Sequence, residues 1–180
     1  MREQLLSLYE TMHEDLTTLI KHVETYDDEA INKAPKEEKW SAQQIMNHLI
    51  LAEKHSIAYC IKKLSFDPKL KKAGINSILK EWLVKSYFIL PLKLEAPKGI
   101  DTPNLPKKDD LENIKQNWLY NRDQMKRFLE NVDEKYLDRE LYKHPFAGRL
   151  SLKVMLIFFI SHFRHHRKQI YDALRVTTQP

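Results

Sequence analysis

The sequence contains little of what several fold classes require. Only three of its 180 residues are glycine, which disfavours sheet-rich folds with many tight turns. It has one cysteine, Cys60, so no intramolecular disulfide can form. A lone cysteine of this kind is typical of a small buried side chain in a reducing compartment.

Long apolar runs are also missing. The longest, residues 154–160, is far shorter than the roughly 20 residues that a helix needs to span a bilayer. The first 16 residues carry acidic side chains and have no apolar h-region, which is not the pattern of a signal peptide. We therefore expect a cytoplasmic protein with no membrane partner.

Charge of one sign does not dominate any long stretch. The chain has 30 basic and 25 acidic residues and a net charge of +5, with the two signs interspersed. No basic stripe with interleaved aromatic residues is present, so we expect no nucleic-acid partner. The sequence also has no P-loop, G-x-S-x-G, G-x-G-x-x-G, H-E-x-x-H or C-x-x-C motif. It therefore lacks the usual motifs for nucleotide binding, serine hydrolysis, zinc proteolysis and dithiol chemistry.

Apolar residues recur at intervals of three and four through most of the chain, as in amphipathic helices. The pattern predicts four long helices and one short helix, at residues 3–26, 42–64, 75–90 (the short one), 110–131 and 152–175. Ser41 with Gln44 forms a capping box, and Asp109 and Ser151 are the expected N-caps of the last two helices. Residues 27–40, 91–108 and 132–150 are predicted to be connections, and no segment is a convincing strand. We predict an all-α bundle that forms a single domain over residues 1–180.

The most informative residues are histidines. His162 and His166 stand four apart in the last helix, so their side chains lie one turn apart on one face. His48, in the second long helix, shares a face with apolar residues and could supply a third ligand. Three neutral histidines with open positions are typical of a catalytic divalent metal site, because a closed structural site normally has four protein ligands.

The alternative is that the H-x-x-x-H spacing arises by chance. Against it, His162 and His166 share their face with apolar residues, and several imidazoles facing one core without a ligand would be costly to desolvate. The sequence supports weaker predictions for residues near these three histidines. Gln44, His55 and Gln169 are candidates to orient the ligands, and Arg164, His165 and Arg167 are candidates to contact the substrate.

Two motifs also carry a family resemblance. The segments WSAQQIMNHL, at residues 40–49, and HFRHHRKQI, at residues 162–170, resemble those of the DinB-like superfamily, including its YfiT-like putative metal-dependent hydrolases and bacillithiol transferases. The segment HPFAGRLS before the last helix is similar as well. One departure concerns substrate: where relatives often have a small residue or glycine after the histidine pair, this chain has Arg167 and Lys168.

The resemblance implies a DinB-like four-helix bundle, here with an extra short helix and long loops. It implies nickel or zinc on His48, His162 and His166, frequent homodimers, and a small-molecule substrate. The activity it implies is transfer of a low-molecular-weight thiol, such as bacillithiol, mycothiol or glutathione, to an electrophile. Two alternatives stay open: metal-assisted hydrolysis, with Glu53 or Glu10 as candidate bases, and a non-enzymatic stress-response module that binds metal.

Overall fold

The computed structural model describes residues 1–74, 76–86 and 98–177, and it confirms an all-α fold. Six α-helices occur in the described part of the chain. They are α1 (Arg2–Val23), α2 (Asp28–Asn32), α3 (Ala42–Leu64), α4 (Asn76–Ser86), α5 (Leu111–Asn131) and α6 (Leu152–Thr177). Two short 3-10 turns, Thr102–Asn104 and Glu134–Tyr136, interrupt the connections.

The four long helices form the bundle. α1 packs on α5 and α6, and α3 packs on the same two helices, so α1 lies diagonally opposite α3. Each long helix buries one apolar stripe, as amphipathic periodicity requires. Trp118 of α5 and Phe163 of α6 are fully buried where their rings meet, with centroids 5.8 Å apart. α4 lies outside this arrangement and packs on α6.

Several local predictions are confirmed. α3 has the predicted bounds and begins with the predicted capping box, in which Ser41 Oγ accepts from Gln44 N–H and Gln44 Oε1 accepts from Ser41 N–H. Ser151 Oγ accepts from Val154 N–H at the start of α6. α4 occupies the predicted short helix as far as it can be compared, since residues 75 and 87–90 of that prediction lie outside the described residues.

Other local predictions were wrong in detail. α1 ends at Val23 rather than at residue 26, and the supposed connection 27–40 contains α2. Asp27 caps this short helix by accepting from Ala30 N–H, and Ile31 is fully buried, so it is a capped turn with one apolar anchor. The N-cap of α5 is Asp110, not Asp109.

The absence of strands was also a wrong prediction. Tyr142–His144 (β1) and Gly148–Leu150 (β2) form an antiparallel hairpin with Tyr142 opposite Leu150. Gly148 has φ of 71°, in the left-handed region that favours glycine, and lies just past the turn. The hairpin packs on α3 and α6, so it covers one side of the bundle. None of the helices in the described residues has the length and apolarity needed to cross a membrane.

Candidate metal centre

Three histidines from two neighbouring helices meet inside the bundle. α3 carries His48, and α6 carries His162 and His166. One ring nitrogen from each lies within 4.8 Å of the other two. His48 Nε2 and His162 Nε2 are 3.2 Å apart, and the rings of His162 and His166 are 4.6 Å apart between centroids. The structure therefore brings together all three residues that the sequence nominated as ligands.

Hydrogen bonds to the outer ring nitrogens decide the tautomers of two of these histidines. His48 Nδ1 lies 2.8 Å from the backbone oxygen of Ile100. A carbonyl oxygen can only accept, so Nδ1 carries the proton and Nε2 presents a lone pair. His166 Nδ1 likewise donates to Gln169 Oε1 at 2.7 Å, which leaves its Nε2 as the unprotonated nitrogen.

Burial keeps the three imidazoles neutral. Desolvation lowers the pKa of His48, although the hydrogen bond to Ile100 partly opposes the shift. The pKa of His162 falls well below 6.5, first because of burial and then because of repulsion from the charged forms of His166 and His48. Burial lowers the pKa of His166 to about 3. All three are therefore neutral near pH 7, which is the form that binds metal.

The separation of His48 Nε2 from His162 Nε2 fits a divalent cation bound to both. Two nitrogens that each lie about 2.05 Å from a tetrahedral ion are roughly 3.3 Å apart, close to the 3.2 Å between His48 Nε2 and His162 Nε2. At that separation two bare lone pairs would repel each other, so a proton or a cation must lie between them. Imidazole nitrogen suits zinc and nickel among biological metals.

A loop holds His48 from outside. Residues 99–104 present the Ile100 carbonyl, and Asp101 shapes this turn by accepting from Gly99 N–H and from the Asn104 amide. Gly99 has φ of 95°, a conformation that L side chains rarely adopt. Trp40 joins the loop to α3: its Nε1–H donates to Thr102 Oγ1, and its ring lies 5.0 Å from that of His48.

The three residues predicted to orient the ligands make different contacts: one bonds to a candidate ligand, one caps a helix and one packs against a loop. Gln169 bonds to His166 directly, and its NH₂ group also donates to His165 Nε2 at 3.2 Å. The Gln44 side-chain oxygen is taken by the cap of α3. His55 is exposed, with its ring against Gly99 of the loop. His48 is instead oriented by the Ile100 carbonyl, a backbone group that no sequence motif could identify.

The residues predicted to contact substrate lie at the surface of α6. Arg164 Nε and Arg167 Nη1 donate to the two carboxylate oxygens of Asp15, on α1, at 2.8 and 3.1 Å. These ion pairs join α6 to α1. His165 is half-buried, and burial and then the charge of Lys168 lower its pKa. A role for the three residues in substrate binding stays a prediction.

Glu53 is held in an ion pair, and Cys60 is buried and unreactive. Both oxygens of Glu53 accept from Arg122, at 2.7 and 2.8 Å, and Trp118 Nε1–H donates to one of them at 3.3 Å. A carboxylate held in this way is poorly placed to act as a base. Burial raises the pKa of the Cys60 thiol to about 12, so Cys60 is a buried apolar side chain, as its lone occurrence suggested.

His144 has a structural role in the hairpin. Its Nδ1 accepts from the backbone N–H groups of Phe146 and Ala147, at 3.2 and 3.0 Å, and so holds the hairpin turn. Its ring packs edge-on against Phe158, 4.4 Å between centroids. Phe158 in turn stacks on His162 at 5.3 Å with an interplanar angle of 13°.

Comparison with known proteins gives one match. A family model of the DinB superfamily matches residues 3–170, a span that contains both histidine motifs and the described helices α1 to α5 with most of α6. Neither the curated proteins nor the solved structures include a match.

Proposed function

This chain belongs to the DinB superfamily, and from that premise we propose that it is a metal-dependent enzyme that transfers a low-molecular-weight thiol to an electrophile. The observation that carries the proposal is the meeting of His48, His162 and His166, with one ring nitrogen of each within 4.8 Å of the other two. Three histidine ligands leave coordination positions open for a small molecule. Nickel and zinc are the proposed ions.

The residues of the chain prepare this site in three ways. Ile100 and Gln169 hold protons on the outer nitrogens of His48 and His166, so the inner nitrogens of both carry lone pairs. Burial keeps the imidazoles of His48 and His162 neutral, while His166 is half-buried. When bound, a divalent cation supplies Lewis acidity, which lowers the pKa of a thiol or a water.

In the proposed reaction, a thiol replaces a leaving group on a carbon atom. A sulfur–carbon bond forms while the bond from that carbon to its leaving group breaks. The leaving group keeps the electron pair, and the thiol proton passes to solvent. No acid–base side chain is required at the histidine centre, which agrees with the engagement of Glu53 by Arg122. Hydrolysis would normally use a general base, so the same observation favours thiol transfer over the hydrolase alternative.

The first experiment is metal analysis by mass spectrometry on protein purified without an affinity tag. Wild type should carry about one nickel or zinc ion per chain. His48→Ala/His162→Ala should carry almost none, because two of the three ligands are gone. His13→Ala/His22→Ala is the matched control, since both histidines lie on α1 outside the cluster, and it should retain the metal.

The second measurement follows thiol consumption with bacillithiol, mycothiol and glutathione against alkyl halides. Metal-loaded wild type and the control should transfer at least one of these thiols, and the double variant should not. A wild type that holds no metal and takes up neither nickel nor zinc would refute the enzyme proposal and leave a helical binding module.

A structural metal is the remaining alternative, and chelation separates the two. Where a metal holds the fold together, its binding energy is folding energy, and removal unfolds the protein. A catalytic ion in this bundle should leave the helical circular dichroism signal largely unchanged, because the apolar core lies along the whole length of the helices.

We also propose a cytoplasmic location and a homodimer, which follow from the sequence expectations and the family resemblance. Light scattering coupled to size-exclusion chromatography measures the mass directly. A monomer at working concentration would contradict the dimer without bearing on the metal centre.

A further inference from the structure

Gln169 is hydrogen-bonded to two histidines of its own helix. Its Oε1 accepts from His166 Nδ1–H at 2.7 Å, and its NH₂ group donates to His165 Nε2 at 3.2 Å. His165 and His166 lie four and three positions before Gln169 in α6, which is the spacing at which side chains meet on a helix surface. One amide therefore bridges the candidate ligand His166 and the half-buried His165.

The two ends of this amide have opposite hydrogen-bonding roles. The oxygen can only accept, and the NH₂ group can only donate. His166 Nδ1 must therefore carry a proton, which leaves a lone pair on its Nε2. His165 Nε2 must present a lone pair, which leaves the proton of a neutral His165 on Nδ1. Because a neutral imidazole has one ring proton, each contact fixes the tautomer of a whole ring.

A second arrangement of the same three side chains would satisfy both contacts. If the amide turned over, its NH₂ group would donate to His166 Nδ1 and its oxygen would accept from His165 Nε2. The protons of both histidines would then have to lie on Nε2. A protonated Nε2 cannot bind a cation, because a metal ligand needs a lone pair. The arrangement in the structure is therefore the one that makes His166 a ligand.

We propose that Gln169 couples the tautomer of His165 to that of His166, which makes His165 a positioning residue for the metal centre. A divalent cation on His166 Nε2 fixes the proton of His166 on Nδ1, the amide in its present orientation and the proton of His165 on Nδ1. Coupling acts in both directions, so a change at His165 alters the fraction of chains in which His166 can bind metal. The inference rests on the metal site of the proposed function and not on its thiol transfer.

Nitrogen-15 NMR of the histidine rings tests the coupling on wild-type protein, at about pH 8, where an ordinary histidine is neutral. In zinc-loaded protein, His165 should carry its proton on Nδ1 although it is not a candidate ligand. In metal-free protein, the fraction of His165 protonated on Nδ1 should equal the corresponding fraction of His166. A zinc-loaded protein with His165 protonated mainly on Nε2, or metal-free fractions that differ, would overturn the inference.

Gln169→Glu tests whether the amide carries the coupling. A carboxylate accepts from both histidines and donates to neither. His166 should therefore keep its proton on Nδ1, while His165 should now carry a proton on Nε2. Gln4→Glu, at an exposed position of α1, makes the same substitution and should leave both rings as in wild type. A His165 without a proton on Nε2 in Gln169→Glu would show that residue 169 does not control its tautomer.

Zinc affinity, measured by competition with a chelator, tests the consequence for the metal. His165→Phe keeps a ring but removes the acceptor, so the amide loses one contact of the arrangement that suits the metal. Affinity should fall roughly two- to five-fold, by the same factor as the Nδ1-protonated fraction of His166 in metal-free protein. In a Gln169→Glu background the same substitution should change the affinity little, because both ends of a carboxylate accept. His22→Phe, on α1, is the matched control and should bind zinc as wild type does.

The outcomes separate this inference from the proposed function. Equal losses from His165→Phe in both backgrounds, or no loss in either, would overturn the coupling. Circular dichroism verifies folding, and the wild-type ring signals decide the question if His165→Phe does not fold. A wild type that binds neither zinc nor nickel would refute the proposed function, while the metal-free tautomer fractions would still decide whether the two histidines are coupled.

Discussion

At the scale of single residues, the outer nitrogen of each histidine determines what the inner nitrogen can do. His48 donates to a backbone carbonyl and His166 donates to Gln169, so both present lone pairs to the centre. His144 shows the reverse arrangement, since its Nδ1 accepts two backbone N–H groups and must be unprotonated. The same side chain therefore serves as a candidate ligand in one place and as a turn-holding acceptor in another.

His144 gives a pH-dependent prediction for metal-free protein. Its folded pKa is about 4, below the ordinary 6.5, so between these values the unfolded chain binds a proton that the folded chain does not. Stability is therefore complete above about pH 6.5 and falls as the pH drops towards 4, by up to about 3 kcal/mol. His144→Asn keeps an acceptor for the turn without titrating, so it should lose less stability than wild type over this range.

Urea unfolding at several pH values from 4.5 to 7.5 measures the difference, in the presence of a chelator. His55→Asn removes an exposed histidine and should follow the wild-type curve. Parallel curves for wild type and His144→Asn would show that His144 does not titrate with the folding transition.

At the scale of elements, the loop at residues 99–104 adds a backbone contact to the histidine centre that α3 and α6 form. Asp101 holds the turn through Gly99 and Asn104, and the turn delivers the Ile100 carbonyl to His48. Trp40 and Thr102 attach the loop to the start of α3. The sequence predicts a connection over residues 91–108; residues 91–97 lie outside the described residues, and the described remainder contacts a candidate ligand.

Asp101→Ala should weaken metal binding without unfolding the bundle. Loss of the turn releases the Ile100 carbonyl, and removal of such an outer partner typically lowers metal affinity about 10- to 100-fold. Competition with a chelator measures the affinity for zinc or nickel, and nitrogen-15 NMR of metal-free protein reports the His48 tautomer. Asp133→Ala removes a similar cap from the 134–136 turn and should change neither quantity. An unchanged tautomer and affinity in Asp101→Ala would show that the loop does not position His48.

At the scale of the whole molecule, a buried ion pair joins the helices that flank the centre. Glu53 of α3 and Arg122 of α5 are 2% and 1% exposed, and they share two hydrogen bonds. Trp118 adds a third donor to the carboxylate. A buried pair of this kind is costly to desolvate, and this cost offsets much of the attraction between the two charges, so the pair adds little net stability.

Arg122→Met should destabilise the protein by about 3–5 kcal/mol, because it leaves the Glu53 charge buried without a partner. The double variant Glu53→Leu/Arg122→Met removes both charges and should lose much less. Urea unfolding gives both free energies. Arg127→Met, on the exposed side of the same helix, is the control and should unfold nearly as wild type does. Equal destabilisation of the single and double variants would show that packing, not the unpaired charge, accounts for the loss.

Much of the fold was predictable because helices are encoded by short-range interactions. The apolar residues that recur within one turn, and caps such as Ser41 with Gln44, lie within a few positions of one another and can be identified from the chain. The pairing of His162 with His166 is local in the same sense. Predictions failed where a local signal was weak, as in α2, which has one buried side chain, and in the hairpin, whose strands have three residues each.

The remaining features depend on contacts between distant parts of the chain. Whether His48 meets His162, 114 positions away, depends on which faces of α3 and α6 pack together. The Ile100 carbonyl has no side-chain signature, and the pairing of Glu53 with Arg122 requires α3 beside α5. Local sequence therefore specifies the helices and the candidate ligands. Packing of the helices brings those ligands together and sets their protonation, because both depend on groups that are neighbours only after folding.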